Sequence, residues 1–100
     1  MPLVFSYGSL QQDDVQLSTV GRLLRGHQDE LPEFELSRSR DGRHANVTFN
    51  GRPDSRVGGA VLEITDAELA VVDAYERADG YARIAVTLAS GKQAWVFVEA

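Results

Sequence analysis

The chain has 100 residues, 43% of them hydrophobic and 25% charged, with fifteen acidic residues against ten basic and no cysteine. That length supports one domain, residues 1–100, built around one hydrophobic core. A net charge of −5 speaks against a nucleic-acid partner, which requires a basic stripe to displace counterions, and against adhesion to an anionic membrane; the lack of cysteine excludes disulfides, thiolate catalysis and cysteine-ligated zinc.

Met1 to Tyr7 lacks the basic region and longer apolar stretch of a signal peptide, and no apolar run approaches the roughly 20 residues needed to cross a bilayer. The expectation is a cytoplasmic, acidic, globular protein. Leu3 to Tyr7 is a short apolar run of β-formers ended by Gly8-Ser9, which predicts a strand running straight into a turn. With no polar leader before it, this strand is expected in the middle of its sheet. Gln11-Gln12-Asp13-Asp14 suits a helix cap, and Val15, Leu17, Val20, Leu23 and Leu24 follow at helical spacings, interrupted by Gly21.

Gly26 to Pro32 reads as loop, and Glu33 to Ser37 alternates polar and apolar as a half-buried strand does. Ser37 to His44 is polar and basic around Asp41-Gly42, an exposed hairpin turn. Val47 to Phe49 reads as a strand and Asn50 to Asp54 as a loop. Val57 to Ile64 resumes a strand in which Gly58-Gly59 permits a bulge or a close backbone approach.

Thr65-Asp66-Ala67-Glu68 is a capping box, the sharpest local signal in the chain. Leu69, Val72 and either Tyr75 or Glu76 then share one helical face, and Gly80 predicts a left-handed stop. Tyr81 to Leu88 and Gln93 to Val98 are alternating runs joined by a four-residue turn, a hairpin. Five or six strands with one or two helices predict an α+β fold with a strongly curved or barrel-like sheet.

Candidate chemistry concentrates at two places. The turn after the first strand, Gly8-Ser9, allows close approach of backbone to a ligand, and its successive amides are suited to cradling a carboxylate or oxyanion. Tyr7-Gly8-Ser9-Leu10 is not the elbow of a serine hydrolase, and no histidine is placed to serve as base. Glu76 lies at the C-terminal end of a helix, where the macrodipole disfavours a carboxylate. If its face turns inward, desolvation raises its pKa toward neutrality, where one group can both accept and give a proton; the alternative is a solvent-facing glutamate paired with Arg77 or Arg83. His27 and His44 are expected in loops and form no metal-ligand spacing. Arg22, Arg25, Arg38, Arg40, Arg43, Arg52 and Arg56 read as solvated surface, and Trp95 and Phe97 as core.

Taken in order, a strand entering Tyr7-Gly8-Ser9-Leu10, the run Val57-Gly58-Gly59-Ala60-Val61-Leu62-Glu63-Ile64-Thr65, then Leu69-x-x-Val72-Asp73-x-Tyr75-Glu76, then Tyr81-x-Arg83 and Ala94-Trp95-Val96-Phe97-Val98, resemble the γ-glutamylcyclotransferase-like (AIG2-like) superfamily. The resemblance spans Val4 to Val98 and implies a small mixed β-barrel flanked by helices, with one pocket at its mouth. It implies that Glu76 is the catalytic general acid/base and that Tyr7, Gly8, Ser9 and Leu10 hold the γ-glutamyl part of the substrate. Tyr81 and Arg83 are implied as residues that shape the pocket. The implied activity is intramolecular amide cyclisation, of the acyltransferase or lyase class, releasing pyroglutamate and an amine or amino acid from a small γ-glutamyl compound, with no metal or other cofactor. The alternatives are a non-catalytic small-molecule binding module using the same pocket and a related γ-glutamyl-processing enzyme acting on a larger acylated product.

Overall fold

A computed structural model describes residues 1–100. The elements follow in the order β1 (Leu3–Ser6), α1 (Asp13–Val20), β2 (Gly26–Pro32), β3 (Phe34–Arg38), β4 (Ala45–Phe49), β5 (Arg56–Glu63), α2 (Asp66–Ala78), β6 (Tyr81–Thr87) and β7 (Gln93–Glu99). A single 3-10 turn, Ser9–Gln11, separates β1 from α1. Five strands form one sheet in the order β2-β5-β1-β7-β6, and β3 and β4 form a separate hairpin. β1 takes the central position, antiparallel to β5 and parallel to β7.

Because β1 alternates, it feeds two cores. Val4 faces the helices with Leu62, Ile64, Leu69, Val72 and Phe97. Phe5 faces the other way with Leu31, Val61 and Val96, where the hairpin contributes Phe34 and Val47. The sheet is mixed, as the resemblance implies, but it is not closed into a barrel. Its edge strands β2 and β6 share no ladder; they are bridged at one end, where the Ala89 amide donates to the Glu30 carbonyl (2.9 Å) and Ser90 Oγ to Asp29 (2.5 Å). Closure is replaced by coverage: the β3–β4 hairpin packs on the apolar face that a barrel would enclose.

Seven strands are present rather than five or six, since Gly26–Pro32 is β2 and not a loop. Of its residues only Leu31 is fully buried, so His27-Gln28-Asp29-Glu30 shows no alternation; the strand exists because β5 offers a seven-residue antiparallel register from Leu62 to Arg56. His27 therefore lies in a strand. Gly59 is a close approach: a Cβ there would fall 2.3 Å from the Ser6 carbonyl and 2.7 Å from the Phe5 ring.

Helix α2 begins as its capping box predicts. Glu68 N donates to Thr65 Oγ1 (3.1 Å) and Thr65 N donates to the Glu68 carboxylate (2.8 Å). The helix ends at Ala78, and Gly80 (φ 83°) turns the chain into β6. Helix α1 stops at Val20, with Gly21 left-handed at its end instead of interrupting a longer helix. No helix is long and apolar enough to cross a membrane.

Candidate active site

Where β1 runs into its turn, a cavity of about 410 Å³ opens, lined by residues 4–10 of the first strand and turn and by Tyr75, Glu76 and Asp79 of the end of α2. Tyr81 and Phe97 supply its floor from β6 and β7, and Arg43 and His44 of the β3–β4 turn reach it with Ala45 at the start of β4. The Gly8-Ser9-Leu10 turn and Glu76, separate in the sequence, thus line one cavity.

The turn is held by its own tyrosine. Tyr7 leaves β1 and its hydroxyl donates to the Phe97 carbonyl across the sheet (2.6 Å). Burial, then the nearness of Tyr81 and Glu76, keeps that phenol protonated well above its ordinary range, so it acts as a fixed donor to the backbone. After it, Gln11 N donates to Gly8 O (3.2 Å) and Gln12 N to Ser9 O (2.9 Å), closing the 3-10 turn. The amides of Ser9 and Leu10, which open that turn, have no partner within the chain. A Cβ at Gly8 would meet no atom within 4 Å, so a side chain there would project into space open to a ligand.

Glu76 arrives by helical spacing. Leu69 and Val72 bury one face of α2, and Glu76, four residues beyond Val72, continues that face past the end of the core and into the cavity. Its pKa is raised from 4.5 to about 7, chiefly by burial, then by the Asp79 carboxylate, with His44 opposing the shift. No protein hydrogen bond satisfies its carboxylate. This is the environment of a group that exchanges protons near neutrality.

Tyr81 is buried, and its hydroxyl donates to the Ala45 carbonyl (2.7 Å), tying β6 to the hairpin beneath the cavity; burial raises its pKa. Arg83 departs from the expected placement and does not line the cavity. It lies two residues along β6 on the same face, but α2 covers that face. There its guanidinium meets Asp73 (2.5 Å) and stacks over the Trp95 ring at 4.6 Å. Its observed role is to clamp α2 to the sheet.

Arg43, His44 and Asp79 are cavity residues that the sequence reading missed. His44 stands edge-on to Tyr81, with ring centroids 6.5 Å apart. Nothing in a polar, basic turn reveals that it folds back over the end of β1; the signal lies in contacts distant in sequence, Arg40 N to Glu99 (3.1 Å) and Glu99 N to Asn46 (3.0 Å). No three His, Asp or Glu side chains converge as a metal-ligand set.

The fold has known counterparts. The family described as gamma-glutamyl cyclotransferase, AIG2-like, matches residues 4–100, and the chain belongs to it. Its fold is shared with two Arabidopsis thaliana proteins solved in solution. One is 24% identical with a TM-score of 0.81, over 98% of this chain and 68% of that one. The other is 20% identical with a TM-score of 0.83, over 98% and 61%. A solved structure named gamma-glutamyl cyclotransferase is 21% identical with a TM-score of 0.74, over 98% and 66%. The chain thus spans about two thirds of the length of these relatives. No curated protein matches it.

Proposed function

We propose that the protein is a γ-glutamylcyclotransferase that releases pyroglutamate and a free amine or amino acid from a small γ-glutamyl compound. One observation carries the reading: a half-buried glutamate, Glu76, with a pKa of about 7 lines the same cavity as the Gly8-Ser9-Leu10 turn. Family membership supports it.

Cyclisation needs the substrate's α-nitrogen to attack its own γ-carbonyl carbon. A C–N bond forms to close a five-membered lactam, and the bond to the leaving amine breaks. The α-ammonium first gives one proton to solvent and becomes the attacking amine. As the C–N bond forms, this nitrogen must lose a second proton and the leaving nitrogen must gain one, so Glu76 takes that second proton and returns it to the leaving nitrogen. The unpaired amides of Ser9 and Leu10 supply donors to the developing oxyanion, a contribution of about 3–4 kcal/mol when well aimed. Nucleophile and electrophile belong to one molecule, so holding the substrate folded supplies the proximity.

A panel of γ-glutamyl amines, amino acids and peptides, incubated with the protein while pyroglutamate and free amine are measured, tests the proposal. Stoichiometric release from at least one member is expected. Binding without turnover across the panel would instead establish the cavity as a non-catalytic binding site.

A further inference from the structure

Resting on that reading, we infer that the β3–β4 turn is a carboxylate-recognition element, with Arg43 as the residue that selects anionic γ-glutamyl substrates. The cavity is electrically divided. Its acidic lining, Glu76 and Asp79, comes from the end of α2, and its basic lining, Arg43 and His44, comes from the turn. A γ-glutamyl amino acid is divided in the same sense, with an ammonium that must meet Glu76 and carboxylates that need a cation. Arg43 is the only lysine or arginine lining the cavity, and its guanidinium forms no ion pair or hydrogen bond with the protein.

The turn that presents Arg43 is built. Asp41 accepts from Ser39 Oγ (2.6 Å) and from the Arg43 amide (3.0 Å), and the His44 amide donates to Ser39 Oγ (3.1 Å). Ser39 itself is only 5% exposed. The loop is anchored to the rest of the molecule by the Arg40 amide on Glu99 and by Tyr81 on Ala45. Asp41, whose carboxyl feels the Arg43 charge, is occupied by these turn bonds and forms no ion pair with it, which leaves the guanidinium fork for a ligand. Two carboxylates of a γ-glutamyl amino acid could fill that role: the α-carboxylate, retained in pyroglutamate, or that of the departing amino acid.

The test compares wild type, Arg43→Gln and Arg43→Lys on a γ-glutamyl amino acid, a γ-glutamyl alkylamine and pyroglutamate, measuring KM, kcat and calorimetric Kd. Arg43→Gln should weaken the γ-glutamyl amino acid by about 10- to 100-fold in Kd and KM, the worth of a charged hydrogen bond, with a smaller change in kcat. Lysine, a point charge without the planar fork, should restore part of the loss. A loss shared by the alkylamine and pyroglutamate assigns Arg43 to the α-carboxylate; a loss confined to the γ-glutamyl amino acid assigns it to the leaving group. Equal Kd values for wild type and Arg43→Gln throughout, or no binding of any probe to wild type, would overturn the inference. Calorimetry reads it without turnover, so a protein that binds these probes through Arg43 but never cyclises them defeats the enzymatic proposal and leaves carboxylate recognition standing.

Discussion

Helix α2 carries one glutamate near each end, and the two are opposites. Glu68 at the N-terminus accepts from the Thr65 amide and takes two guanidinium bonds from Arg22 (2.6 and 2.7 Å). These hydrogen bonds hold its pKa down to about 2. Glu76 at the C-terminus has no such partner; burial raises its pKa to about 7. The same side chain is a fixed anion that secures the fold at one end and an unstable anion ready for protonation at the other. The helix macrodipole favours the first and opposes the second. A carboxylate whose environment satisfies it is structural, and one that is left unsatisfied in a cavity is available for chemistry.

Four measurements sharpen or break that contrast. The largest effect expected is on turnover: Glu76→Gln keeps the shape but cannot take the α-amine proton, so kcat should fall by about 10²–10⁴. Pyroglutamate binding should change far less. Full activity in this variant would remove Glu76 from the mechanism.

The acid limb of the pH profile comes next. The working form of Glu76 is the carboxylate, so kcat/KM should decline about tenfold per pH unit below a midpoint near 7. Residual turnover in Glu76→Gln should lack that midpoint. A midpoint near 4.5 in the wild type would place the carboxylate in water rather than in the cavity.

Stability should show the same group with the opposite sign from a satisfied carboxylate. The folded pKa of Glu76 is raised above the ordinary 4.5, so the folded state binds more protons than the unfolded one between about pH 4.5 and 7. Stability therefore falls as pH rises through that window, by roughly 1–3 kcal/mol for a half-buried group. Urea melts of Glu76→Gln at pH 8 should show a gain of that order and a flatter profile; a loss would mean that the carboxylate has a stabilising partner.

The smallest effect belongs to the other end of the helix. Thr65→Ala removes one cap bond and should cost about 1 kcal/mol in the same melts while leaving turnover intact. Glu68 titrates in its own window: its folded pKa is depressed, so its contribution is present above about pH 4.5 and lost as pH falls toward 2. Glu68→Ala should reduce the stability loss in that acid window, leaving the part due to Asp29 and Asp41, and leave the pH 4.5–7 slope untouched.

What the residues revealed unaided was local. The capping box of α2, the stop at Gly80 and the β6–β7 hairpin each depend on groups a few positions apart, whose preferred geometry neighbours alone dictate. The resemblance located the Tyr7–Leu10 turn and Glu76, and helical spacing explains how Glu76 reaches the cavity. Three features were settled only in space. β2 is polar and became a strand because β5 supplied its hydrogen bonds. The sheet stayed open because the hairpin covered the face that closure would have buried. Arg43 and His44 joined the cavity because the turn carrying them is tied to the end of β7, 59 residues from Arg40. Arg83, which the resemblance implied would shape the pocket, was claimed by Asp73 and Trp95. Spacing along a strand sets which face a side chain takes, but what stands opposite that face is decided by packing between distant segments.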